Sequence, residues 1–174
     1  MKKHPAYTAQ ARAETPLGPV LLAATERGLA GVWFDGQAHH PGVLDAPVNP
    51  SQPHIAQAMR ELNAYFSHDS SRDAAPSPFS VPLDAAGTEF QRAVWAELLR
   101  IAPGATSSYG EIARRSGRPA ALRAVGAAIG RNPLSVIVPC HRVLGSDGSM
   151  TGYAGGLPRK QALLRLEGAL VAAV

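Results

Sequence analysis

Asn132-Pro133-Leu134-Ser135-Val136-Ile137-Val138-Pro139-Cys140-His141-Arg142-Val143 holds the one cysteine of a 174-residue chain. Leu134, Val136, Ile137 and Val138 make a run too short for a helix and rich in β-branched side chains, which predicts a short buried strand. Pro139 has a locked φ and no N–H, so regular pairing should stop there. Cys140 is then expected at the mouth of a strand, where a rigid element aims a nucleophile and a turn exposes it. A lone cysteine is more often a small buried hydrophobe. His141 and Arg142 weigh against that here, because the chain leaves the core beside the thiol and either cation would lower the thiol pKa. Successive residues of an extended chain face opposite ways, so a water between His141 and the sulfur serves as well as direct contact.

Upstream, Thr88 to Arg100 reads as a helix. Thr88 and Gln91 have capping-box spacing, and Phe90, Val94, Leu98 and Ile101 give an apolar stripe, with Trp95 expected to pack beside it. Ser108 and Glu111 repeat the capping pattern for a short helix. Ser116-Gly117 turns the chain, and Pro119 is suited to the first turn of a further helix to about Gly130. Two helices across a short glycine-containing turn make a helix-turn-helix pattern. On the second of them Leu122, Val125 and Ile129 form the core stripe. Its other face carries Ala120, Arg123, Ala124, Ala127 and Gly130, nearly bare apart from one arginine. Such a helix is either an ordinary solvated surface with good helix formers or one that lies in a nucleic-acid groove with one inserted side chain.

Downstream, Gly145-Ser146-Asp147-Gly148 reads as a hairpin turn. Gly152-Tyr153-Ala154-Gly155-Gly156-Leu157 is a glycine-rich loop whose spacing fits no P-loop. Pro158 to Leu170 is the last helix, with Leu163, Leu166 and Leu170 as its stripe.

Residues 1–87 hold six Lys/Arg against eight Asp/Glu, whereas residues 88–174 hold eleven against five, and ten of those eleven are arginines. The net charge of +4 is therefore concentrated in the back half. Arginine-rich surfaces suit phosphate contacts, and a solvated basic face is the plain alternative. The chain is 45% hydrophobic, enough for a core and unlike a disordered composition. Lys2 and Lys3 are followed by no apolar signal core, and no apolar run reaches the length of a membrane span, so a soluble cytoplasmic protein is expected. One cysteine permits no internal disulfide, which fits a reducing compartment.

In the front half Thr8–Glu14, Val20–Thr25 and Leu29–Phe34 read as strands, with turns at Gly18 and Glu26-Arg27-Gly28. A loop spans Asp35 to Pro53, and a helix follows from His54 to Phe66 with Ile55, Met59, Leu62 and Phe66 near helical spacing. Asp69 to Ser77 reads as a linker, and Phe79, Val81 and Leu83 alternate like another strand. His4, His39, His40, His54 and His68 show no metal-ligand spacing, so no metal is expected and no site is expected in this half.

Pro139-Cys140-His141-Arg142-Val143 resembles the active-site motif of the O6-alkylguanine-DNA alkyltransferases, and the resemblance extends over about Thr88 to Gly168. It implies an α/β N-terminal domain over residues 1–84, a small antiparallel sheet with helices. A mostly α domain over 85–174 should follow, containing a helix-turn-helix and a short strand leading to the cysteine. The implied activity is DNA repair by stoichiometric transfer of the alkyl group from O6-methylguanine in duplex DNA to Cys140. O4-methylthymine is a second candidate substrate. The damaged base is flipped out from the minor groove, and the transfer irreversibly inactivates the protein. Carried over by residue, His141 is the base, Glu167 holds it, and Tyr109 stabilises the leaving guanine. Asn132 ties the helix-turn-helix to the active-site turn. Arg123 fills the place of the extruded base, within a DNA surface of Tyr109, Arg123, Ala124, Gly126, Ala127 and Arg131. Tyr153, Ala154, Gly155, Pro139 and Val143 are expected around the guanine, with the N–H of Ala154 facing O6. The structural zinc of some relatives is not carried over, since the front half has no cysteine. No cofactor, no membrane and no obligate protein partner are implied, and a monomer is expected. Two other classes stand beside this one: a non-catalytic alkylated-base binding protein, against which Cys140 argues, and a Cys-His hydrolase, which would need an oxyanion hole.

Overall fold

A computed structural model describes residues 6–72 and 75–170. Lys2, Lys3 and His4, and residues 73 and 74 of the expected linker, lie outside the described residues. Strands β1 (Ala9–Ala13), β2 (Val20–Ala24) and β3 (Leu29–Phe34) form an antiparallel sheet in that order. Helix α1 (Pro53–Phe66) covers it, opened by Pro53 and capped by the Gln52 side chain, which accepts from the Ile55 N–H at 3.0 Å. Its buried stripe is Ile55, Ala58, Leu62 and Tyr65, with Met59 and Phe66 at the rim.

The strand expected at Phe79, Val81 and Leu83 does not form. The Glu61 carboxylate takes the N–H groups of Ser80 and Val81 at 3.1 and 3.2 Å, and only Leu83 bridges β3, at Leu29. The two segments lie so close that a β-carbon on Gly28 would stand 2.6 Å from the Pro82 oxygen, a distance only glycine permits.

The back half contains α2 (Glu89–Leu98), α3 (Tyr109–Arg115), α4 (Leu122–Gly130) and α5 (Leu157–Leu166), with a parallel pair of two-residue strands, β4 (Ser107–Ser108) and β5 (Val143–Leu144). The fold class expected from the sequence is the one observed. Thr88 and Gln91 close a complete capping box on α2. Ser108 caps the Glu111 N–H at 3.1 Å, but the Glu111 carboxylate turns forward to Arg114 and Arg115, so the second box closes on one side.

Helix α4 begins at Leu122 rather than Pro119, because Ala121 first closes a turn onto the Arg118 carbonyl at 2.9 Å. Its buried residues are Val125, Ala128 and Ile129, while Leu122, expected in the core, is 50% exposed. Trp95 packs as expected and donates its indole N–H to the Ala128 carbonyl at 2.8 Å, fastening α2 to α4. Helix α5 ends at Leu166, four residues short of Leu170, where Gly168 adopts a φ of 76°. Leu163 and Leu164 are buried there with Lys160, and Leu166 lies at the edge.

The approach to Cys140 differs most from expectation. A short strand adjoins the cysteine, but it is β5, on its far side. Leu134 to Val138 is buried and makes one bridge, Leu134 to Val32 on the free edge of β3. Val32 donates to the Pro133 carbonyl at 2.8 Å and accepts from the Ser135 N–H at 3.0 Å. The run then turns, with Val136 at a φ of 73° and the Val138 N–H on the Leu134 carbonyl at 2.9 Å. Asn132 causes this: its side chain accepts from the Leu134 N–H at 2.9 Å and donates to the Val138 carbonyl at 2.8 Å, occupying groups a strand would need. A left-handed valine is strained and persists only where its surroundings impose it. One buried cluster runs from Leu22, Phe34 and Ile55 of the front half to Val94, Ile112, Val125, Val136, Cys140 and Leu163 of the back half.

Candidate active site

Cys140 opens a single turn of 3-10 helix, Cys140–Arg142, and is 5% exposed. Its Sγ lies 3.3 Å from Asn132 Nδ2, the same amide that holds Val138. Burial pushes the thiol pKa up, against smaller opposing effects from the Asn132 hydrogen bond and the charge of Lys160. The cysteine therefore rests as a thiol, and the thiolate expected from adjacent cations is not what the site stores.

The reason lies in where those two neighbours go. His141 is fully buried, and burial lowers its pKa although Glu167 draws it the other way, so the ring is neutral at pH 7. Its Nε2 is 2.8 Å from Glu167 Oε1. Burial alone would raise the Glu167 pKa, but hydrogen bonds from His141 and Arg142 and the charge of Arg142 bring it down to about 2. An ionised carboxylate only accepts, so the imidazole proton sits on Nε2 and Nδ1 carries the lone pair. Nδ1 is buried and meets no hydrogen-bond partner among the described residues. The site thus holds a protonated sulfur and a base nitrogen free to receive a proton.

Arg142 does not face the thiol. Its guanidinium forks onto Glu167, with Nε 2.9 Å from Oε2 and Nη2 2.7 Å from Oε1, and also donates to the Ile101 carbonyl. Tyr65 of α1 adds its hydroxyl, donating to Glu167 Oε1 at 2.7 Å. Arg142 and Tyr65 therefore hold the carboxylate that holds His141. Glu167 reaches this place because α5 ends on it as its C-cap.

In front of the sulfur lies a cavity of about 250 Å³ lined by Tyr109, Gly126, Ile129 and Gly130 on the helix-turn-helix side. Gly152, Tyr153 and Ala154 of the glycine-rich loop and Ala38 and His39 of the front half complete it. Tyr153 stands edge-on to His141 with ring centroids 6.5 Å apart. Lys160 is fully buried behind this loop and donates to the carbonyls of Val143, Thr151 and Gly152 at 2.6, 2.8 and 3.2 Å.

Of the residues singled out in the sequence, Cys140, Tyr109, Gly126, Tyr153 and Ala154 meet at the cavity, and Asn132, His141 and Glu167 stand behind it. Arg123, Ala124, Ala127 and Arg131 are exposed on α4 and just beyond it. Three expected pocket residues lie elsewhere. Pro139 faces a separate recess with Phe79, Ile101 and Ile137, and Val143 is fully buried, because the 3-10 turn sends the neighbours of Cys140 away from the cavity. Gly155 does not line it either; a β-carbon there would fall 2.7 Å from the Tyr153 ring, so the glycine makes room for that ring.

Reading the sequence missed His39, Ala38, Tyr65 and Lys160. The contacts of Ala38 and Tyr65 to the site span more than a hundred residues, and those of Lys160 join it to loops 8 to 17 residues away, so none leaves a local signature. The front half, where no site is expected, still reaches this one through Ala38 and His39 in the pocket wall and Tyr65 on Glu167. Among the described residues no three His, Cys, Asp or Glu side chains come together as a metal site, and no helix is long and apolar enough to cross a membrane.

Residues 9–85 match the family described as 6-O-methylguanine DNA methyltransferase, ribonuclease-like domain, and residues 89–169 match its DNA binding domain. A methylated-DNA--protein-cysteine methyltransferase of Methanosarcina acetivorans is 46% identical over 89% of this chain and 95% of its own. A protein of the same name from Mycobacterium tuberculosis is 44% identical over 88% of each chain. The crystal structure of Mycobacterium tuberculosis OGT in complex with DNA superposes with a TM-score of 0.81 at 41% identity, over 93% of this chain and 94% of that one.

Proposed function

The chain belongs to the 6-O-methylguanine DNA methyltransferase family, and on that premise we propose that it repairs DNA by moving the alkyl group of O6-alkylguanine to Cys140, once per molecule. The observation that carries this reading is the buried thiol facing a cavity, backed by a neutral imidazole whose free nitrogen is Nδ1.

The chemistry divides among the residues of the site. Sγ attacks the alkyl carbon, the S–C bond forms, and the C–O6 bond breaks. The thiol proton passes to His141 Nδ1 through a water, and Glu167 stabilises the imidazolium that forms, in the logic of nucleophile, base and orienter. The departing guanine carries the electrons of the broken bond and takes up one proton, so none is gained or lost overall. Tyr109, in the cavity wall, stabilises the charge on that guanine. Asn132 holds the sulfur until attack. The product is a thioether, which water does not readily cleave.

Alkylated O6 lies in the major groove of stacked DNA, so a protein bound from the minor groove must turn the base outward, at a cost of a few kcal/mol. The exposed face of α4, with Arg123 among Ala124 and Ala127, supports a role in filling the gap, and Arg131 supports phosphate contact. O4-methylthymine is a second substrate under the same chemistry. The protein acts as a monomer in the cytoplasm, with residues 1–84 as scaffold and 85–174 as the DNA-binding and transferring part.

Intact-mass measurement after mixing the protein with a duplex carrying one O6-methylguanine tests this. The expected result is a gain of one methylene on Cys140, stopping at one equivalent and absent from Cys140→Ala. Tight binding without a mass change would replace it with the alkylated-base binding reading. Turnover of activated esters at Cys140 would replace it with the hydrolase.

A further inference from the structure

The front half builds one wall of the substrate cavity, and no step of the transfer uses it. Ala38 and His39 form that wall, and the segment bearing them is fastened at several points. The buried Gln37 accepts through Oε1 from the Phe34 N–H at 2.8 Å and from the Ser135 hydroxyl at 3.0 Å, and its Nε2 donates to the Ala38 carbonyl at 3.2 Å. The Ala38 N–H donates to the Ala154 carbonyl at 2.9 Å. This wall is therefore bonded both to the active-site turn and to the glycine-rich loop.

His39 follows at a φ of 59°. Only it and Val136, in the turn that carries Cys140, are non-glycine residues in the left-handed region among the described residues. That conformation costs an L-residue roughly 1–2 kcal/mol and is kept where the surroundings impose it, often at a ligand site. Ala38 and Ala154 carry only methyl groups, so His39, exposed at the cavity's edge, is the residue of this front-half wall with a large side chain.

We infer that His39 sets the size of the alkyl group the pocket admits. In the alkyltransferase reading, on which this rests, O6 faces the Ala154 N–H, and the Ala154 carbonyl is bonded to Ala38. An alkyl group extending past O6 along this side meets the His39 ring. A methyl group fits short of it; a branched or benzylic group has to share its space.

The test compares single-turnover transfer from duplexes carrying O6-methylguanine or O6-benzylguanine, followed by intact mass, in the wild-type protein and in His39→Asn and His39→Gly. Both replacements tolerate the left-handed backbone, so they remove the ring without adding strain. The expected result is a rise of about tenfold in the benzyl-to-methyl rate ratio in both variants, the scale on which apolar pockets sort substrates by size. His39→Trp should move the ratio the other way. A ratio within about twofold of wild type in both small variants, with methyl transfer intact, overturns the inference. Loss of both transfers together in the variants also overturns it, since His39 would then serve the reaction itself. Absence of methyl transfer in the wild-type protein fails the alkyltransferase reading instead.

Discussion

Tyr65 and Glu167, 102 residues apart in the chain, share a buried hydrogen bond of 2.7 Å. The acceptor oxygen is the one that also holds His141 Nε2. A helix of the front half thus helps to fix the carboxylate that holds His141 in the back half. Tyr65→Phe leaves the ring packing and removes one donor from a buried charge, an effect of about 1–3 kcal/mol. The variant should melt lower and transfer methyl more slowly, whereas its binding to undamaged duplex should not change. Thermal melting, single-turnover kinetics and a binding titration check the three parts.

Stability should fall steeply in acid because of Glu167. Its carboxyl is held at about 2 in the folded protein, against roughly 4.3 in an unfolded chain. A depressed acid contributes in full above the unfolded value, and that contribution disappears as pH falls from about 4.3 toward 2; here it amounts to about 3 kcal/mol. Urea unfolding between pH 2.5 and 6 should show this limb in the wild-type protein and a flatter one in Glu167→Gln. The variant should also be less stable at pH 7, because Arg142 loses its buried partner.

Cys140 and His141 predict an unusual pH dependence for the thiol. Burial raises the thiol pKa and lowers that of the imidazole. Iodoacetamide at pH 7.5 should therefore alkylate Cys140 more slowly than it does a free cysteine. Methyl transfer from DNA, which in the proposed mechanism uses neutral His141, should stay flat through neutrality and decline only below the ordinary histidine range near 6.5.

Asn132 predicts a loss of both structure and rate. Its amide closes the turn through Leu134 and Val138 and reaches the sulfur. Asn132→Ala leaves buried backbone groups unpaired, at about 2–3 kcal/mol, and frees the cysteine turn. Transfer should slow by at least about tenfold, equivalent to about 1.4 kcal/mol of barrier. Melting and single-turnover kinetics measure the two effects.

The proposed role of Arg123 in base flipping can be separated from chemistry. Arg123→Ala should slow transfer from duplex by about tenfold while leaving transfer from free O6-benzylguanine close to wild type, since no flipping is then required. Equal slowing with both substrates would remove the arginine from the flipping step.

What the sequence made legible was local. The capping box of Thr88 and Gln91, the strands at 20–24 and 29–34, and the cluster around Cys140 are written in neighbouring residues. Glu167, Asn132 and Tyr153 were reached through family motifs rather than spacing. What stayed hidden depends on contacts between distant segments. Leu134–Val138 has strand composition but meets only one residue of β3 and an asparagine that claims its backbone. Phe79–Leu83 alternates like a strand, yet Glu61 takes its donors. Nothing in the residues around Lys160 announces the three carbonyls that surround its ammonium. Arg142 sits two residues after Cys140 in the chain and turns its charge to Glu167.

The bond pair between Val32 and the segment Pro133–Ser135 has a consequence for synthesis on the ribosome. Val32 emerges about a hundred residues before its partners, and at roughly 5–20 residues per second its side of the sheet waits about 5–20 s for them. During that wait β3 presents an open edge, the kind that pairs with other chains. Residues 82–84 emerge midway and bond Leu29, covering one end of the strand early. Crowded nascent chains should therefore be most prone to mispairing in the interval before residue 82 appears, and a slow-translating stretch just after it would be the safer place for a pause.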